Sequence, residues 1–156
     1  MLALATEIER KFLVDENKLC GLKFLSTEKI FQGYLSRNPT VRVRLTDKRA
    51  CLTIKSSTDG ITRLEFEYEI PPADAEELLT LCGRDVLKKI RRTIFHGGHL
   101  WEVDFFTGRH DGLIIAEVEL KSADEPIELP DWVTREVSDD PRYFNSNLVK
   151  NAVIPD

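Results

Sequence analysis

The segment Thr6-Glu7-Ile8-Glu9-Arg10-Lys11-Phe12-Leu13-Val14 sets Glu7, Glu9 and Lys11 in alternation with Ile8, Arg10 and Phe12. Alternate side chains of an extended strand share a face. Two carboxylates and an ammonium therefore leave this strand on one side. The pattern returns in Ala116-Glu117-Val118-Glu119-Leu120-Lys121. Between these segments, Arg42 and Arg44 alternate with valines in Val41–Leu45, and Glu65, Glu67 and Glu69 alternate with Leu64, Phe66 and Tyr68. Lys89 and Arg91 flank Ile90, and Glu102 and Asp104 oppose Trp101, Val103 and Phe105. A period of two in so many short segments demands a sheet, and a sheet with one strongly charged face.

The remaining punctuation fits strands joined by short turns. Strands are expected at Glu7–Val14, Lys29–Ser36, Val41–Leu45, Ala50–Ser56, Ile61–Ile70, Asp85–Phe95, Leu100–Phe106 and Leu113–Lys121. Turns fall at Asn38-Pro39-Thr40, at Asp47-Lys48-Arg49, in a hairpin loop at Ser57-Thr58-Asp59-Gly60 and at His96-Gly97-Gly98-His99. Asp15 to Leu22 suits a helical turn or two. Pro71-Pro72 ends a strand, and Asp74 to Cys82 has helical spacing, with Ala75, Leu78, Leu79 and Cys82 on one side and Gly83 at its end. A loop through Pro126 and Pro130 precedes Asp139-Asp140-Pro141, which reads as the start of a helix over Arg142 to Lys150. About eight strands with short turns predict an antiparallel sheet closed into a barrel, a β-dominated α+β fold with a few peripheral helices.

Two arrangements of that barrel fit the alternation. In one, the apolar face is the core and the charges meet water. In the other, the charges line the inside and the apolar outside is covered by helices and loops. The sorting of sign favours the second. Arg42, Arg44, Lys55, Lys89 and Arg91 come from basic strands, whereas Glu7, Glu9, Glu65, Glu67, Asp104, Glu117 and Glu119 come from acidic ones. A solvated face more often mixes signs along each strand. Sorted strands can set an acidic wall opposite a basic wall.

Such walls select a ligand. Clustered carboxylates need cations to coexist, and hard divalent cations such as magnesium or manganese take oxygen ligands. Clustered arginines and lysines want multivalent anions such as phosphates. A tunnel with both walls suits a metal-chelated polyphosphate, and its charges would stabilise phosphoryl transfer. No GxxxxGK[ST] loop or GxSxG elbow is present. His96, His99 and His110 lie in or beside turns without metal-site spacing and are expected at the surface, while Phe95, Trp101 and Trp132 are expected to pack.

Bulk properties set the remaining bounds. A chain of 156 residues is read as one domain over 1–156. A net charge of -5 argues against non-specific nucleic-acid binding. Cys20, Cys51 and Cys82 are odd in number and form no CxxC pair, which points to reduced thiols. No signal peptide or bilayer-spanning run is seen, so a soluble cytoplasmic protein, monomer or homodimer, is expected.

Glu7-Ile8-Glu9-Arg10-Lys11 resembles the ExExK signature of the CYTH domain, the triphosphate tunnel metalloenzyme family. The resemblance continues in the family's order through Gln32-Gly33-Tyr34-Leu35, Val41-Arg42-Val43-Arg44, Leu52-Thr53-Ile54-Lys55, Arg63-Leu64-Glu65-Phe66-Glu67, Lys89-Ile90-Arg91-Arg92, Trp101-Glu102-Val103-Asp104 and Ala116-Glu117-Val118-Glu119, and ends in Asp140-Pro141-Arg142-Tyr143-Phe144-Asn145. It is strongest with the short bacterial members. It implies an eight-stranded antiparallel tunnel that hydrolyses triphosphates with magnesium or manganese. By the same resemblance, Glu7, Glu9, Asp104, Glu117 and Glu119 match metal-binding carboxylates. Lys11, Arg42, Arg44, Lys55, Lys89 and Arg91 match the residues that grip phosphates. Glu7, Glu9, Lys11, Glu117 and Glu119 form the catalytic set. Glu65 and Glu67 match supporting tunnel acids, and Tyr34 matches a tyrosine that contacts the signature lysine, here Lys11. The terminal helix matches one that plugs a tunnel end, and Lys150 on it has no matched role.

Three activities remain open at this point. The first is an inorganic triphosphatase, which the short length favours. The second is a nucleoside or thiamine triphosphatase, or a class IV adenylate cyclase. The third is a non-catalytic polyphosphate-binding module, against which the intact metal and phosphate positions count.

Overall fold

The computed structural model describes residues 6–57 and 61–150. Positions 58–60 of the expected hairpin loop fall outside the described residues. The strands are β1 (Thr6–Val14), β2 (Ser26–Arg37), β3 (Thr40–Thr46), β4 (Ala50–Lys55), β5 (Thr62–Ile70), β6 (Val86–His96), β7 (His99–Thr107), β8 (Ile114–Glu119) and β9 (Val133–Glu136). Two α-helices, α1 (Pro72–Leu81) and α2 (Asn145–Leu148), accompany them.

The sheet runs β5-β4-β3-β2-β6-β7-β8-β1-β9, and an antiparallel β1–β5 pairing closes eight of the strands into a barrel. β5 holds only the first part of β1, at Thr6–Ile8. Further along, the same edge of β1 is taken by β9, with Phe12 opposite Glu136 and Val14 opposite Val133. β9 lies in the segment read from sequence as loop. It is only four residues long, too short for its alternation to stand out beside Pro130.

The alternation sorts side chains as the inverted barrel requires. Outward-facing Phe12, Trp101, Val103, Ala116 and Val118 form one apolar cluster, covered by Leu19, Leu120 and Trp132 from the connections. Trp101 stacks edge-on against Trp132. A second cluster forms where α1 lies on Val43 and Ala50 through Ala75, Leu78 and Leu79. Helix and sheet approach closely at Gly33, where a Cβ would stand 2.6 Å from Cys82 Sγ. The third cluster contains Tyr34, Leu87, Phe106 and Ile115. These residues share parity with the charged interior positions, so this core fills the inside of the barrel at one end. Tyr143, Leu148 and Val149 seal it.

Several expectations change. Pro72 begins α1 instead of merely ending β5, because the first helical position needs no N–H and favours the φ of proline. The terminal helix expected over 142–150 is broken into a 3-10 turn at Pro141–Tyr143 and the short α2, with Phe144 extended between them. That break lets Tyr143 and Leu148 both enter the barrel end. His110 is buried against Phe106, not at the surface, and Phe95 is exposed, not packed. The outer faces of Leu64, Phe66 and Tyr68 are exposed as well, so helices and loops cover the apolar outside only in part. The three cysteines are free thiols. No helix among the described residues is long and apolar enough to cross a membrane.

Candidate functional site

The barrel encloses a cavity of about 420 Å³. Around its wall the strand order places β7, β8, β1 and β5 side by side, then β4, β3, β2 and β6. The first four carry Glu102, Glu117, Glu119, Glu7, Glu9, Glu65 and Glu67, and the other four carry Lys55, Arg42, Arg44 and Arg91. The acidic and basic strands, dispersed along the chain, thus become two continuous arcs facing one space. Lys11 and Arg63 are cations within the acidic arc, and Glu28 is an acid within the basic one.

Of the residues singled out from sequence, Glu7, Glu9, Lys11, Tyr34, Arg42, Arg44, Lys55, Glu65, Glu67, Arg91, Glu117 and Glu119 line this cavity. Lys89 and Asp104 face inward by parity but are buried, 2% and 1% exposed, and are not among the cavity-lining residues. Asp104 accepts from Arg91 Nε at 2.7 Å on Oδ1 and from Nη2 at 2.9 Å on Oδ2, and Lys89 Nζ lies 2.7 Å from the same Oδ2. Both carboxylate oxygens are therefore committed to cations. Burial works against the Asp104 charge, but Arg91 and Lys89 together lower its pKa to about 2. Burial lowers that of Lys89 to about 7 despite Asp104. Tyr34 accepts a hydrogen bond from Gln32 at 3.0 Å, while Lys11 Nζ reaches the carbonyl of Tyr143 at 3.4 Å and lies over the Phe144 ring. Lys150 pairs with Asp85, 3.6 Å away, and is not among the cavity-lining residues.

The acidic arc is held by internal cations and by burial that favours the protonated form of some of its carboxyls. Glu9 hydrogen-bonds Glu117, and burial, with Glu117 and Glu7 nearby, raises the Glu9 pKa to about 8. Burial also opposes ionisation of Glu117, but Lys11, Arg91 and Lys89 keep it well below the usual carboxylate range. A second acid pair joins Glu7 and Glu65. Burial and the bond to Glu7 lift Glu65 to about 7. Burial raises Glu7 too, but Glu65, Lys55 and Arg63 outweigh it and bring it to about 2. Lys55 Nζ contacts Glu7 at 3.1 and 3.2 Å. Glu119 stands exposed at the mouth, its pKa raised by partial burial and by Glu7 and Glu102.

Cations of both arcs keep unspent capacity. Among the described residues, Lys11, Arg42 and Arg44 have no carboxylate within 4.0 Å. Arg42 is 5% exposed, gives Nη2 to Thr53 at 3.3 Å, and its buried Nε has no partner among the described residues. Arg44 directs Nε and Nη2 to one amide oxygen of Gln32. Burial first, then Arg42 and Arg91, lower its pKa to about 10. Buried cations without counter-charges are costly, so this face fits a multivalent anion.

A divalent cation fits the other face by donor chemistry. Glu7, Glu9, Glu117 and Glu119 offer hard oxygen donors. Among the described residues, no three acid, histidine or cysteine side chains converge on one point. The acids are turned onto one another and onto Lys55, Arg63 and Arg91. Arg63, Glu28 and Glu102 also line the cavity and were not assigned to the site from sequence. Parity could have found two of them, since Arg63 stands two residues before Glu65 and Glu102 two before Asp104.

Residues 5–147 match the family model described as the CYTH domain. An inorganic triphosphatase of Acetivibrio thermocellus is 44% identical over 152 residues, which cover 95% of this chain and 96% of that protein. An inorganic triphosphatase of Nitrosomonas europaea is 33% identical over 156 residues, covering 92% and 96%. The crystal structure of an inorganic triphosphatase superposes with a TM-score of 0.68 at 31% identity, covering 96% of this chain and 97% of that one.

Proposed function

The chain belongs to the CYTH domain family, and we propose that it hydrolyses inorganic tripolyphosphate to pyrophosphate and phosphate with magnesium or manganese. The observation that carries this reading is the facing pair of arcs, with Arg42 and Arg44, which have no carboxylate within 4.0 Å among the described residues, across one cavity from the clustered Glu7, Glu9, Glu117 and Glu119. An anion alone would satisfy one arc and a cation alone the other. A metal-chelated chain of phosphates satisfies both.

Glu7, Glu9, Glu117 and Glu119 would hold the metal. When bound, it supplies charge neutralisation at phosphate oxygens and a means of lowering the pKa of a water. Arg42, Arg44, Lys55 and Lys11 grip phosphate oxygens, and Arg91 does so while Asp104 fixes its guanidinium from behind. Lys89 supports Asp104 and adds positive potential to the same wall. Water oxygen bonds to the terminal phosphorus as the phosphoanhydride bond breaks. The water proton passes to the carboxylate arc, and pyrophosphate leaves with its charge stabilised by the basic arc. The segment Tyr143–Ser146 closes the tunnel end beside Lys11, with Tyr34 nearby, and Glu65 and Glu67 complete the acidic wall. We place this enzyme in the cytoplasm, as a monomer or homodimer formed by the single domain 1–156. Its free thiols support that location.

Exhaustive chelation should abolish phosphate release from tripolyphosphate. Added magnesium or manganese should restore it, and calcium, with its looser geometry, should restore little. Full turnover after chelation would contradict the proposal.

A further inference from the structure

Arg63 is a cation set between two acids of the first strand. It stands opposite Glu7 in the β1–β5 register. Its Nε lies 3.4 Å from Glu7 Oε1, and its Nη2 lies 3.9 Å from Glu9 Oε1. One guanidinium thus spans both acids of the first strand. This differs from the state of Arg42, whose buried Nε has no partner among the described residues. A residue with unpartnered donors is set for an incoming anion, whereas a residue whose two ends lie on carboxylates is set against an incoming cation.

We propose that Arg63 is an internal counter-ion that competes with the divalent metal for Glu7 and Glu9 and so sets metal affinity, instead of gripping phosphate. This rests on the reading of the acidic arc as the metal site. The physical argument is exclusion. The carboxylate oxygens that face Arg63 are oxygens a metal would take, and a guanidinium within about 5 Å of a divalent cation repels it. Arg63 can yield, because its side chain is 22% exposed and its long stem can withdraw into the cavity. Until it yields, it offsets the charge of Glu7 and any charge that develops on Glu9 beside it. Arg63 is then a positioning residue: it acts on the acids, not on the substrate.

The test is calorimetric titration of the whole protein with manganese alone, followed by tripolyphosphate kinetics at saturating manganese. In R63Q the manganese Kd should fall by roughly ten-fold or more, since a nearby positive charge is removed. In R63K, which keeps the charge, it should stay within about two-fold of wild type by the same argument. The KM for tripolyphosphate should be unchanged in both. If R63Q does not fold, Arg63→Met keeps the aliphatic stem and carries the same expectation. An unchanged or weaker manganese affinity in the charge-removing variant, or a raised KM with unaltered metal affinity, overturns the proposal and makes Arg63 a phosphate ligand or a structural residue. Wild type that binds no manganese would instead overturn the reading of the acidic arc itself, and the counter-ion role with it.

Discussion

Glu9, proposed above as a metal ligand, occupies the barrel at a cost to folding. Burial beside Glu117 and Glu7 raises its pKa from the ordinary 4.5 to about 8. Below pH 4.5 the group is protonated folded and unfolded, and it contributes nothing to pH dependence. As pH rises from there, the unfolded chain ionises freely while the folded protein resists. The folded state therefore loses stability progressively until about pH 8, where the loss levels off. Glu9→Gln mimics the protonated acid and can still donate to Glu117. Thermal melts with chelator present should show Glu9→Gln matching wild type near pH 4 and exceeding it increasingly up to pH 8, with turnover nearly abolished. A variant that loses stability relative to wild type over that range would contradict the assignment. At this scale the sequence was informative through parity: which residues face inward follows from a period of two. What parity does not reveal is depth. Asp104 and Lys89 share the inward face with Glu102 and Arg91, yet they stand one step nearer the filled barrel end, beside Phe106 and Leu87, and are buried there. Arg63 was obscured because its strand reads as acidic.

Among the elements, α1 is fixed by a close approach that its own sequence does not announce. Ala75, Leu78, Leu79 and Cys82 mark the packed side of the helix by spacing, but the depth of contact depends on Gly33 of β2. A Cβ there would meet Cys82 Sγ at 2.6 Å, Cys82 Cβ at 2.9 Å and Leu79 Cδ2 at 3.1 Å. Gly33→Ala should cost about 1–3 kcal/mol by overpacking. The cost should shrink in a Cys82→Ala background, where the nearest atom is gone. Urea denaturation of the single and double variants measures this, and equal costs in both backgrounds would rule out the contact as the cause. The terminal segment shows the opposite limit. Its start at Asp140-Pro141 was readable, and Asp140 does accept from the Arg142 N–H. The break at Phe144 was not readable, because it follows from where the barrel end places the sites that bury Tyr143 and Leu148.

For the whole molecule, function follows from closure. The charges of each sign are scattered along the chain, and only the order in which strands neighbour one another gathers them into two arcs. Eight strands, their inward charges and the CYTH resemblance were legible in sequence. The arcs were legible only as a possibility, since sign sorting by strand says nothing about which strands adjoin. β9 was not legible, being a short partner that β1 acquires after β5 leaves its edge. The cations of the basic arc can hold a phosphate chain without any contact to a base, at roughly 1.5–3 kcal/mol for each charge-assisted contact. The comparison to make is kcat/KM for tripolyphosphate, ATP and pyrophosphate at equal free magnesium, with products identified. Tripolyphosphate should be cleaved with the highest kcat/KM, yielding pyrophosphate and phosphate, and pyrophosphate should be a poor substrate because it is too short to span both arcs. A ratio favouring ATP, or cyclic AMP as the main product, would contradict the account.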